Sequence, residues 1–227
     1  MSDENAASRL AGALYLVVVL TGLFSLMYVP SRIGVSGDPQ ATVSNILGAQ
    51  PLFRAGIAAF LVKQLAFLLL PLALFKLLRG VNHGAAVLMV ALAVVSVPIA
   101  LVSLGHRLDA LDILTGSYGP ALAADALPSQ AMLALGAYRH GLLVTTLFWG
   151  LWLLPFGYLV IRSGFLPKLL GVFLILGGLA YVTQVFGQIL MPSSSLPGWV
   201  MLPAAVGEIG ICLWLLLVGV RTGRVAQ

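Results

Sequence analysis

Two ionisable side chains lie inside apolar runs, Lys63 in GIAAFLVKQLAFLLL and Glu208 in LPAAVGEIGICLWL. Each falls about eight residues from one end of its run, which at about 1.5 Å of rise per residue places both on the order of 12 Å deep. An ionised group at such a depth in a bilayer costs at least ~2.5 kcal/mol. Pairing is the usual way such groups are tolerated, so the shared depth predicts an ion pair or a shared-proton pair between Lys63 and Glu208. A pair of this kind either holds its two helices together or binds a ligand or moves a proton. Ala204, Glu208 and Cys212 recur at i, i+4 and i+8, and the small neighbours would let another helix come close to the carboxylate.

The dipeptides His106-Arg107 and Arg139-His140 are the next candidates. Two imidazoles could share a metal or ligate haem, and beside guanidiniums they could bind an anion. A zinc site would need His106, His140 and a remote carboxylate to converge, because there is no H-E-x-x-H, no His pair at i, i+4 and only one cysteine. No metal and no cofactor is therefore expected, which leaves anion or headgroup contact and plain interfacial anchoring. Neither a G-x-S-x-G elbow, a P-loop nor a dinucleotide fingerprint stands in a strand-to-helix setting. Ser193-Ser194-Ser195, between prolines, reads as a hydrophilic turn. Trp149 and Trp152 read as packing residues, and Trp199 as an interfacial anchor.

Polar residues also form stripes. Thr21, Ser25, Tyr28 and Arg32 share one helical face, as do Ser96, Ser103 and Arg107 (beside His106), Arg139, Thr146 and Gly150, and Gly177, Tyr181, Gln184 and Gln188. These stripes crowd toward one end of the spans, whereas stretches such as Gly84 to Val95 and Leu213 to Val220 carry almost no side-chain hydrogen bonding except through Trp214. The expected arrangement is an outward-open polar pocket over a dry inner seal. Its ligand-binding candidates are Arg54, Lys63, His106, Arg139, His140, Gln184, Gln188 and Glu208. The plainer alternative is that Ser, Thr and Gln only stitch helices together.

The elements that must position these residues follow from composition. A chain of 227 residues with 60% hydrophobic and 8% charged residues and a mean hydropathy of +1.07 holds more apolar side chain than a soluble core of that length could bury. The expected fold is all-α, a polytopic transmembrane bundle of about six helices, with residues 1–227 forming a single domain. Apolar runs of spanning length lie at about Leu10 to Val29, Ala55 to Phe75, Gly84 to Leu104, Leu142 to Ile161, Leu166 to Gln188 and Val200 to Val220. Asp3 and Glu4 precede the first run and no small-x-small site follows it, so it reads as a retained anchor. Pro71, Pro98 and Pro155 fall inside spans, where kinks would free carbonyls to line a cavity. Asp38-Pro39 reads as the cap and first position of a short amphipathic outer helix carrying Ala41, Ile46 and Leu47. Leu108, Leu111 and Leu114 suggest a second, lying along the interface, with Gly116 to Pro120 as a turn.

Charge orients the bundle. With the N-terminus inside, the inner side holds Arg9, Lys76, Arg79, Arg162, Lys168, Arg221 and Arg224, and the outer side Arg32, Arg54, Arg107 and Arg139 with Asp38, Asp109, Asp112 and Asp125. The excess of basic residues inside predicts both termini in the cytoplasm. The net charge of +5 is scattered over helix ends rather than clustered, so no nucleic-acid partner is expected and membrane lipids are.

The segments RIGVSGDPQATVSNI (from Arg32), LFRAGI (from Leu52), KLLRGVN (from Lys76), FWGLWLLPFGYLVIRSGFLPKLLG (from Phe148) and LPAAVGEIGICLWL (from Leu202) together resemble the bacterial integral-membrane family known as domain of unknown function 4386. The run Ser163-Gly164-Phe165-Leu166-Pro167 is the most specific part of the likeness. The resemblance implies a multi-pass protein of the bacterial cytoplasmic (inner) membrane, in which Asp38, Arg54, Glu208 and the Arg139-His140 neighbourhood match recurrent polar positions. Lys63 departs from the pattern, which tends to be apolar there. The family name carries no activity. Three functions follow as expectations. One is binding or transport of a small amphiphilic or anionic ligand through a pocket including Arg54, Lys63, Gln184, Gln188 and Glu208. Another is an intramembrane enzyme acting on lipid or quinone, with Glu208 or His140 as general acid or base. The third is a structural or regulatory subunit without a ligand. The sequence leaves ligand identity and oligomeric state open.

Overall fold

The computed structural model describes residues 3–117, 126–191 and 197–220. Asp125, Ser193 to Ser195, Arg221, Arg224 and part of the expected turn at Gly116 to Pro120 fall outside them. Every regular element among the described residues is helical. The order is α1 (Asp3–Gly22), a π-helical segment Leu23–Tyr28, α2 (Val29–Ile33), α3 (Pro39–Gly48), α4 (Gln50–Leu78), α5 (His83–Thr115), α6 (Leu127–Ser163), α7 (Lys168–Leu190), a 3₁₀ turn Gly198–Met201, α8 (Leu202–Leu213) and a π-helical end Trp214–Val218.

Six helical stretches are long and apolar enough to cross a membrane: Asn5–Ile33, Gln50–Leu78, His83–Thr115, Leu127–Ser163, Lys168–Leu190 and Gly198–Val218. They coincide with the six apolar runs; the first four extend further, and the last two keep the expected length and are shifted by two residues. The helix expected along the interface at Leu108 to Leu114 is instead the continuous end of α5, because the backbone ladder runs on past the hydrophobic stretch to Gly116, whose φ of 75° terminates it. The short helix expected after Asp38-Pro39 does form as α3. Asp38 Oδ1 accepts a hydrogen bond from the Ala41 amide at 2.9 Å, Pro39 holds the first position, and the buried face is Thr42, Val43 and Ile46, with Leu47 exposed. Asp38→Ala is expected to destabilise this helix by about 1 kcal/mol. Amide exchange confined to α3 should report the change, and unchanged protection there would contradict it. The prolines at 71, 98 and 155 are carried inside unbroken helices.

The chain packs as two compact units. The first comprises residues 1–17, 65–97 and 144–227, and the second residues 18–64 and 98–143. In the first unit, helices meet through small residues. Gly157 faces Gly171 and Gly150 faces Gly178 between α6 and α7, while Gly177 abuts Ala204 and Gly207 abuts Leu174 between α7 and α8. The α6–α7 turn is written in Ser163-Gly164. Gly164 takes φ 74°, and Ser163 Oγ donates to the Val160 carbonyl at 2.8 Å while accepting from the Leu166 amide at 3.2 Å. An aromatic cluster fills the interior of this unit: Trp152 stacks on Phe156 at 5.3 Å between ring centres, meets Phe67 edge-on at 5.2 Å, and reaches Tyr15 at 6.2 Å.

In the second unit the buried line of the first span runs through Val18, Gly22, Ser25, Val29 and Ile33. Tyr28 and Arg32, expected on the same stripe as Ser25, stand one position aside and are exposed, with Arg32 over the Tyr28 ring at 5.4 Å. Val29 packs on Gly56, the Lys63 stem on Gly22, and Ser103 on Gly141. Hydrogen bonds tie α3 back to the end of α2. Asn45 Nδ2 donates to the Ile33 carbonyl at 3.1 Å, and Thr42 Oγ1 accepts from the Val35 amide at 3.0 Å.

Candidate functional site

The second unit contains a partly open cavity of about 330 Å³. Its walls are mostly apolar, built from Val29 and Ile33 of α2, Ile46 of α3, Phe53 of α4 and Leu135 of α6. The sequence makes such a wall because four elements each turn apolar residues toward one point, and α3 is fixed there by its cap and its bonds to α2. Two charged side chains join this lining, Arg107 from α5 and Arg139 from α6.

Arg107 is the unusual one, for its side chain is only 4% exposed. Its guanidinium carbon lies over the Phe53 ring at 4.5 Å and over the Tyr138 ring at 5.3 Å. Tyr138 is held in turn by an edge contact with Phe60 at 6.3 Å. Contacts of a cation with aromatic faces offset ~0.5–2 kcal/mol of its burial. They leave one nitrogen unsatisfied: Arg107 Nη1 is fully buried and has no hydrogen-bond acceptor. Among the described residues no carboxylate lies within 4.0 Å of the guanidinium, and Asp109 is engaged by His106 at 3.2 Å. A buried donor with no acceptor costs ~1–3 kcal/mol, more when charged, and such a group in a native protein needs an explanation. A cationic donor lining an apolar cavity is suited to receive an anionic head.

The first unit holds a second polar cluster. Glu208 of α8 accepts from Tyr15 Oη of α1 at 3.1 Å on Oε2 and from Tyr181 Oη of α7 at 3.4 Å on Oε1. One turn further along α8, the Cys212 thiol points to the Gly12 carbonyl at 3.6 Å. The small face Ala204, Glu208 and Cys212 thus receives two other helices, and the carboxylate ties three together.

The residues singled out from the sequence are divided between these places. Arg139 lines the cavity, while Arg54, next to Phe53, and His140 are exposed and do not. His106 is half exposed. Lys63 is buried in the second unit, with Nζ 3.5 Å from Gln64 Oε1 and over the Phe60 ring at 5.6 Å. Glu208, Gln184 and Gln188 belong to the first unit, Gln184 partly buried and Gln188 exposed. Arg107 stood on the recognised Ser96, Ser103 and Arg107 stripe, all three of which are buried, yet its neighbour His106 was the one taken as a ligand. Phe53, Tyr138 and Tyr15 were not singled out; only their places beside Arg54, beside Arg139 and on the buried side of α1 pointed to them. Among the described residues no three His, Cys, Asp or Glu side chains gather as metal ligands.

Six apolar spans and internal polar sites define a multi-pass α-helical membrane protein. The chain belongs to the family described as Domain of unknown function (DUF4386), which matches residues 10–219. No curated protein and no solved structure shows a significant match to it.

Proposed function

We propose that the protein binds a small amphiphile with an anionic head, taken up from the outer side of a bacterial cytoplasmic membrane in which both termini face the cytoplasm. The observation that carries this reading is the buried Arg107 guanidinium, which lines a largely apolar cavity with its Nη1 donor unpaired. Apolar walls favour a hydrocarbon body, and the guanidinium favours an oxyanion. The excess of Lys and Arg at the opposite ends of the spans supports the orientation. A cavity of about 330 Å³ lies at the lower end of the ~300–1,000 Å³ typical of small-molecule sites, which suits binding of one small molecule.

The test is mass spectrometry of amphiphiles that stay with the protein through purification in an uncharged detergent. An anionic amphiphile should be enriched in the wild type. Ile46→Trp, which adds bulk to the wall and leaves the Arg107 side chain itself unchanged, should reduce it about tenfold or more. No enriched species, or an equal amount in the variant, would overturn the reading.

A further inference from the structure

The cavity also constrains the head of its occupant. With two aromatic rings lying against the Arg107 guanidinium, what it has left for a ligand is its N–H edge, and the free donor there is Nη1. A single free nitrogen offers an oxyanion head one charged donor, so the charge of the head rather than its shape sets the preference. Arg107 brings one buried positive charge to the cavity wall, Lys63 being buried in the same unit but outside the lining, and the carboxylates described in that unit are committed or distant. Asp38 caps α3, Asp109 meets His106, and neither these nor Asp112 lies within 4.0 Å of the guanidinium. A head with one negative charge neutralises that site, whereas a doubly charged head would carry an uncompensated charge into apolar surroundings. Arg139, exposed on the same cavity, is screened by solvent and draws an anion inward without requiring a second charge.

We infer that the preferred ligand class is a single-chain monocarboxylate amphiphile, its carboxylate on Arg107 and its chain between Ile33, Ile46 and Leu135. The inference rests on the amphiphile-binding reading and narrows it to one head chemistry. The chain supplies affinity through burial, and the carboxylate supplies discrimination through a charged hydrogen bond that an ester cannot make as strongly.

The experiment uses the full chain in uncharged detergent at mildly alkaline pH. A fluorescent dodecanoate is displaced by decanoate, methyl decanoate, decyl phosphate or decyltrimethylammonium. Decanoate should compete at least about tenfold better than the ester and the ammonium, the scale of one hydrogen bond to a charged group. It should also compete better than the phosphate. Arg107→Met should abolish the preference for decanoate over its ester while the ester still binds. Decyl phosphate competing as well as decanoate or better would overturn the carboxylate assignment and leave the cavity reading standing. Probe binding that Ile46→Trp does not weaken would overturn the cavity reading itself. If Arg107→Met does not fold, the competitor series on the wild type still decides the head chemistry.

Discussion

Gly157→Leu is expected to leave little folded protein. A Cβ built at Gly157 lies 2.6 Å from the Gly171 carbonyl oxygen and 2.7 Å from Ile175 Cγ1, and one built at Gly171 lies 2.7 Å from the Gly157 carbonyl oxygen. The contact repeats two turns away, where a Cβ at Gly150 would lie 2.9 Å from the Gly178 carbonyl oxygen and one at Gly178 would lie 2.7 Å from that of Gly150. At each of these glycines a backbone carbonyl oxygen is among the obstructing atoms, and it cannot swing aside as a side chain could. Helices in lipid gain little from the hydrophobic effect and associate through close packing, which makes this contact a main source of α6–α7 association. Overpacking of a core costs about 1–3 kcal/mol, and more when backbones must separate. Gly157→Ala should therefore lower the thermal midpoint in detergent by several degrees, and Gly157→Leu should shift most of the protein into aggregates on size exclusion. Gly105→Ala, at a helical glycine with nothing within 4 Å of the added carbon, is the control and should behave as wild type. A Leu variant as monodisperse as that control would show that α6 and α7 do not depend on the contact.

That contact was hidden in the sequence, since a glycine in an apolar run says nothing about which backbone approaches it. The spans were legible because hydropathy measures the property that lipid selects for. Their ends were not, because hydropathy marks the hydrocarbon zone while the helical ladder ends where capping chemistry ends it. Hence α5 reaches Thr115 and α6 begins at Leu127, well outside the apolar runs. Asp38-Pro39 was legible because capping is a local interaction. At the cavity, depth alone showed that the His106-Arg107 end of α5 is polar, yet adjacent helical residues point about 100° apart and only packing decides which one faces inward. The Ser96, Ser103 and Arg107 spacing held that information. Phe53 and Tyr138, which make burial of the guanidinium tolerable, come from other helices and could be read only from the fold.

Glu208→Leu is expected to destabilise the protein more than Glu208→Gln, and the difference separates two roles for the carboxylate. Tyr15 is fully buried and donates to Oε2 at 3.1 Å, while the Tyr181 bond to Oε1 is longer, at 3.4 Å, and contributes less. Leucine removes both acceptors and strands the Tyr15 hydroxyl, a loss of about 1–3 kcal/mol in a protein interior. Glutamine keeps one acceptor oxygen, and its amide can donate to the other phenol, so a carboxylate that serves only as a tie between α1, α7 and α8 should be largely replaced by it. The measurement is a double-mutant cycle on thermal or denaturant stability in detergent, combining Tyr15→Phe with Glu208→Leu. A coupling of about 0.6 kcal/mol and no more than about 1.7 is expected, the mean and the maximum found for hydrogen bonds between membrane helices. Additive losses would show that Tyr15 and Glu208 do not act together. If Glu208→Gln proves as damaging as Glu208→Leu, the negative charge itself is what the protein retains, because the hydrogen-bond geometry survives in glutamine and the charge does not.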